Sequence, residues 1–273
     1  MGARDPARLT AARLAPALLV VVALFGGAIA GAVRTSVSPL AGGVSLDAWR
    51  ELLEDPAFSE SLLLTARVAF LSTLVSVLLA VVLAGALRRR GTLIRALATM
   101  PVPVPHLLAA AVAVLWLAPG GLAERIVGGL PVELIRDRQG LGIVLVYVYK
   151  ETPFLMLLLL AAMGRSLSER EEAAAMLGAG PWQRLRWVIW PTIRGPLMVG
   201  TIVVLAFVVG AFEVPLAVGP NQPTMLAAYA FEATQGDVIA GEQVAAATLV
   251  LTTVIAVALA AVAVRFARTA EGA

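Results

Sequence analysis

Residues 166–193 read SLSEREEAAAMLGAGPWQRLRWVIWPTI and lie between two apolar runs, 141–163 and 197–218. Ser168 followed by Glu171 has the spacing of a capping box, which predicts a helix starting at Ser168. Residues 172–177 are strong helix formers. Gly178 and Gly180 accept backbone angles that other residues resist, so that helix is expected to stop there. Pro181 suits the first position of a second helix. Trp182, Leu185 and Ile189 then share one face, and Pro191 closes the unit. The stretch is a helical elbow of a shape that fits a groove on another protein.

The surroundings of the elbow fix where it sits. The chain has 273 residues, of which 60% are apolar and 14% charged. A soluble domain carries roughly 45–50% and about 25%. Mean hydropathy is +0.89. A soluble core of this length does not hide so much apolar surface, so a soluble enzyme and a disordered chain are both excluded. A membrane-crossing helix needs about 20 mostly apolar residues. Residues 14–33, 68–87, 96–118 and 243–264 meet this without a charge, 141–163 with only Lys150 and Glu151, and 197–218 with only Glu213. The fold class is therefore all-α, a polytopic membrane protein with six transmembrane helices. The first run exceeds the length of a signal-peptide core, so it reads as a retained span.

Arginine placement orients these spans. The N-terminal tail, 88–96, 164–194 and the C-terminal tail hold fourteen basic residues; the alternate connections, 34–67, 119–140 and 219–242, hold six. The richer side is cytoplasmic, which predicts both termini inside and 164–194 as the largest cytoplasmic loop. The arginines flank apolar runs and form no basic stripe interleaved with aromatics, so no nucleic-acid partner is expected. Cysteine is absent and His106 is the sole histidine. No metal site, cofactor or catalytic residue is expected. The sole lysine, Lys150, lies outside any GK[ST] ending, so the chain has no phosphate-binding loop.

Polar residues inside the spans are few and costly. Lys150 and Glu151 fall near the middle of the fourth span, where a charge costs about 2.5–3.5 kcal/mol and so faces a cavity or a partner. Neighbours on a helix point about 100° apart, so the two need not pair with each other. They line a translocation pathway, or they form structural contacts. Glu213 lies toward the outer end of the fifth span and lines the outer pathway or reaches the interface. His106 reads as a structural, hydrogen-bonded histidine with no carboxylate near it in sequence. The run PVPVPH at 101–106 predicts a kinked entry to the third span.

The run Glu172-Ala173-Ala174, three residues, then Gly178, and later Val188-Ile189-Trp190-Pro191, resembles the EAA loop of permease subunits of binding-protein-dependent ABC importers, the type I, MetI-like family. Gly178-Ala179-Gly180-Pro181-Trp182-Gln183 resembles that family's GAS-PWQ run, with Gly180 in place of the usual serine and Trp190 in place of the usual leucine. Ser61-Leu62-Leu63-Leu64-Thr65 resembles the opening of its second span, and Gly210-Ala211-Phe212-Glu213-Val214-Pro215 the fifth span of its polyamine, phosphonate, thiamine, iron and sulfate group.

The resemblance implies a permease core over 55–270, with 1–54 a tail, first span and external loop added to it. It implies that Glu172, Ala173, Ala174, Gly178, Pro181 and Pro191 couple to a separate ATP-binding subunit. It further implies two such subunits, a second and different permease chain, an external solute-binding protein, and a bacterial inner membrane. The alternative is a stand-alone proton-coupled secondary transporter using Lys150, Glu151, Glu213 or His106. A membrane-embedded enzyme would need a nucleophile–base or metal constellation for which the residues are scarce.

Overall fold

Apolar runs determine where this chain forms helices, and proline and glycine determine where those helices stop. A computed structural model describes residues 6–38, 42–129, 133–236 and 240–271, and among these the chain is all helical. In order the helices are α1 (Pro6–Ser36), α2 (Asp47–Glu54), α3 (Pro56–Leu87), α4 (Thr92–Thr99), α5 (His106–Leu117), α6 (Leu122–Val127), α7 (Leu141–Ala162), α8 (Arg165–Met176), α9 (Pro181–Arg184), α10 (Trp190–Val209), α11 (Glu213–Val218), α12 (Leu226–Gln235) and α13 (Ala240–Glu271). A π-helical turn, Leu185–Ile189, joins α9 to α10. Six stretches are long and apolar enough to cross a membrane: Leu14–Ser36, Pro56–Leu87, His106–Val127, Leu141–Ala162, Pro181–Val209 and Gly241–Phe266.

Span number matches the sequence expectation, but three boundaries move. The second helix starts at Pro56 rather than 68, because proline suits a first turn and the helix carries Glu60 within it. The third starts at His106 rather than 96. Pro101, Pro103 and Pro105 supply no amide donors, so α4 ends at Thr99 and the chain turns before α5. The fifth stops at Val209, and α11 restarts at Glu213 after an interruption at 210–212.

Two compact units make up the chain, 1–55 with 230–251, and 56–229 with 252–273. In the first, Trp49 Nε1 donates to Ser36 Oγ (3.3 Å) and Gln243 Nε2 donates to the Ser38 carbonyl (2.8 Å), tying α2 and the start of α13 to the end of α1.

The second unit is built on α3, α7 and α10. Lipid tails are as apolar as leucine, so transfer from water does not drive helices together inside a bilayer; close packing does. The buried face of α3 accordingly carries small residues, including Ser72, Ser76, Ala80 and Ala84 at every fourth position. Against it lie Tyr147, Leu155, Met156 and Leu159 of α7, all fully buried. The hydroxyls of α3 mostly turn inward. Ser72 Oγ donates to the Val68 carbonyl (2.6 Å), and Thr65 Oγ1 donates to the Ser61 carbonyl (2.8 Å) while accepting the Leu226 N–H (2.9 Å) that opens α12.

Candidate functional site

Two constructions stand out in the second unit, the elbow at 164–193 and a clamp on the broken third span. The elbow begins earlier than its sequence suggests. Helix α8 starts at Arg165 after Gly164, so Ser168 lies inside it and does not cap it. Glu171, expected as the partner of that cap, is instead buried and paired with Arg88. The far end of α8 follows the sequence reading. Ala179 N–H donates to the Ala174 carbonyl and Gly178 N–H to the Ala175 carbonyl, both at 2.9 Å. This pair of bonds is a Schellman motif with Gly178 at the left-handed position, φ +85°. Pro181 opens α9, where Gly180 N–H donates to Gln183 Oε1 at 2.8 Å. Trp190 N–H then reaches the Leu185 carbonyl, an i→i+5 bond, one residue before Pro191 removes the next donor.

Between α8 and the π turn the elbow forms a groove of about 570 Å³, lined by Ala173, Ala174, Leu177, Trp187, Val188 and Pro191, with Arg170 and Thr192 as its polar members. The groove is open to solvent. Met176 and Leu177 are each 89% exposed and Trp187 is 70% exposed. Glu172 is exposed beside them. The fold thus brings together Glu172, Ala173, Ala174, Gly178, Pro181 and Pro191 on one elbow.

The clamp joins residues that sequence separates. Prolines at 101, 103 and 105 leave the carbonyls between α4 and α5 without helical partners. Lys150 Nζ donates to the carbonyls of Pro101 (2.6 Å), Val102 (3.1 Å) and Val104. An ammonium has three donors, and here each meets one carbonyl; that of Pro101 also accepts the Val104 N–H. One residue on, Glu151 Oε1 lies 2.9 Å from Nε2 of His106, the first residue of α5. Lys150 and Glu151 are both buried within the chain, and they grip the two sides of the same break. The His106 ring stacks at 4.9 Å centroid distance on Phe207 of α10, and Tyr147 meets Phe207 edge-on at 6.2 Å. His106 thus has a carboxylate partner 45 residues away, which its own neighbourhood in the sequence did not show. Glu213 stands apart, exposed at the first turn of α11, which packs on α5.

Two partnerships were invisible to local reading, Arg88 with Glu171 and His106 with Glu151. A signal for the third existed. A lone lysine in an apolar span needs acceptors, and a proline-interrupted span supplies them.

Comparison with known proteins agrees with this architecture. Residues 72–270 match the family model described as binding-protein-dependent transport system inner membrane component. The chain is 28% identical over 238 residues to the inner membrane ABC transporter permease protein YnjC of Escherichia coli K12, covering 86% of this chain and 46% of that protein. It is 26% identical over 222 residues to the putative 2-aminoethylphosphonate transport system permease protein PhnU of Salmonella paratyphi A, covering 74% and 73%. The chain thus spans under half the length of YnjC. Among solved structures, a bacterial alginate ABC transporter in complex with an alginate pentasaccharide-bound periplasmic protein superposes with a TM-score of 0.75 at 18% identity, covering 96% of this chain and 94% of that one. With the family model covering most of its length, the six-span chain belongs to the binding-protein-dependent transport system inner membrane component family, the multi-pass inner membrane permeases of ABC transporters.

Proposed function

We propose that the chain is one permease half of an ATP-driven importer, worked through its elbow by a separate ATP-binding subunit. The observation that carries this reading is the open, mostly apolar groove of the elbow, with Leu177 and Trp187 in its wall largely in solvent and Met176 exposed on the same helix. Contiguous apolar surface on a charged cytoplasmic loop is costly unless a protein covers it. Ala173 and Ala174 permit close approach, Glu172 offers an acceptor to a basic or amide group, and Gly178, Pro181 and Pro191 set the elbow's angles. The fourteen basic residues of the tails and even loops support a cytoplasmic position for the elbow and both termini.

In this reading two ATP-binding subunits sit beneath two permease chains, the second related to this one but different. An external solute-binding protein delivers the cargo, and the 1–54 segment adds packing against lipid outside the 55–270 core. The cargo is a small polar or charged solute. The GAFEVP run and the similarity to a phosphonate permease support that class, which also includes polyamines, thiamine, iron and inorganic anions. Lys150 and Glu151 serve the pathway by holding the third span open at its break, and Glu213 faces the outer path from the break in the fifth.

Purification of the tagged chain from its own host in mild detergent tests the reading. An ATPase subunit is expected to co-elute. The rival, a stand-alone proton-coupled transporter, draws on the part-buried His106–Glu151 pair. Uptake into vesicles that follows a pH gradient and ignores ATP supports the rival and overturns the importer.

A further inference from the structure

Helix α8 is mostly polar, yet Glu171 in its centre has only 3% of its side chain exposed. Its carboxylate takes two bonds from Arg88, Nη1 to Oε2 at 2.5 Å and Nη2 to Oε1 at 3.0 Å. Arg89 adds a longer contact at 3.7 Å. This side-by-side geometry is the fork-to-fork pairing that fixes direction as well as distance. Arg88 directly follows the last residue of α3, and its N–H still bonds the Ala84 carbonyl, so it extends that helix's final turn. One turn before Glu171 on the same face, Leu167 is buried in the core. The groove wall, with Ala173 and Leu177, lies on one flank of this buried face, and Glu172 and Met176 lie on the other.

These facts describe a strut. Along the chain, α8 joins α7 on one side and, through α9 and the π turn, α10 on the other. Through Arg88, it also reaches the cytoplasmic end of α3, the helix whose small-residue face packs on α7 and α10. We infer that the Arg88–Glu171 pair is a positioning device, which delivers movement of the elbow to α3. This rests on the proposed coupling role of the elbow and adds a named route for it. The pair touches neither the groove nor any cargo. Its loss therefore leaves a motor attached while α3 stops following it.

The absence of cysteine gives a clean background for the test. Two reporters are introduced singly into the complex with its ATPase subunits, Met176→Cys on the elbow's outer side and Leu83→Cys on the exposed side near the end of α3. Maleimide reaction rates are compared with and without MgATP and orthovanadate. In the native background, Cys at 176 is protected by the attached motor and the rate at 83 changes on trapping. In Glu171→Ala, protection at 176 is expected to persist while the trapped-state change at 83 shrinks about three- to tenfold. Arg88→Lys, which keeps the charge and loses the fork, is expected to fall between.

A full response at 83 in Glu171→Ala overturns the strut. So does loss of protection at 176 in that variant, because the pair would then serve docking or folding. Absence of protection at 176 in the unsubstituted background instead overturns the coupling role of the elbow itself. The two failures are therefore distinct.

Discussion

His106 Nε2 lies 2.9 Å from Glu151 Oε1, joining the first residue of α5 to the middle of α7. Next to Glu151, Lys150 holds the carbonyls on the other side of the same proline break. Two adjacent charged residues in an apolar helix thus do a single job. Lys150 supplies donors to backbone carbonyls at the proline break, which a bilayer cannot supply as water would, and Glu151 holds the His106 side chain beside it.

Lys150→Met tests this directly. The change leaves the Val102 and Val104 carbonyls without this donor at about 1–3 kcal/mol each, while Pro101 keeps the Val104 N–H, and it is partly offset by removing a buried charge that costs about 2.5–3.5 kcal/mol to insert. The net expectation is a loss of about 1–3 kcal/mol, or roughly 2–12 °C in detergent melting temperature. Lys150→Arg is expected to recover little, because a planar fork cannot meet three converging carbonyls as a point ammonium does. An unchanged melting temperature for Lys150→Met contradicts the clamp.

Gly178 stands at φ +85° with nothing within 4 Å of where a Cβ would lie. Substitution there is penalised by backbone geometry and not by crowding, at about 1–2 kcal/mol for a residue with a Cβ. Gly178→Val is therefore expected to insert in the membrane normally. If the motor grips the elbow, its retention should weaken roughly five- to thirtyfold for that energy. Quantified ATPase co-elution at graded detergent washes reads this out, and undiminished retention counts against the docking role.

Much of the architecture was legible because its causes are local. Apolar length gave six spans, and PVPVPH foretold a break because proline lacks a donor wherever it stands. Gly178 and Pro181 were readable for the same reason. The break at 210–212 was not read, although Pro215 lacks the N–H that would bond the Ala211 carbonyl in a continuing helix and Gly210 stands at the stop. The pairs escaped because partners 45 and 83 residues apart leave no mark on either neighbourhood. Glu171 even misled, since its spacing from Ser168 imitates a cap while its actual partner sits at the end of α3.

Orientation is checked by labelling in whole cells. Met176 is 89% exposed on the elbow and Val44 is 83% exposed between α1 and α2. With cytoplasmic termini, Val44→Cys should react with an impermeant maleimide in intact cells and Met176→Cys only after permeabilisation. The reverse pattern inverts the topology and removes the elbow from the reach of any cytoplasmic motor.

The crossing of α10 over α7 depends on Gly200. A Cβ built there would stand 2.6 Å from Leu158 Cδ2 and 2.8 Å from Leu155 Cδ2. Leu158 is only half-buried and can swing aside, but Leu155 is fully buried and fixed by its neighbours. Gly200→Val should therefore overpack the crossing by about 1–3 kcal/mol. Leu155→Ala alone should cost about 2–5 kcal/mol by opening a cavity. Since the two changes fill and empty the same space, the double variant is expected to lose less than the summed single losses, by roughly 0.5–3 kcal/mol. Strictly additive losses in detergent unfolding would mean that Leu155 does not set the approach of the two helices.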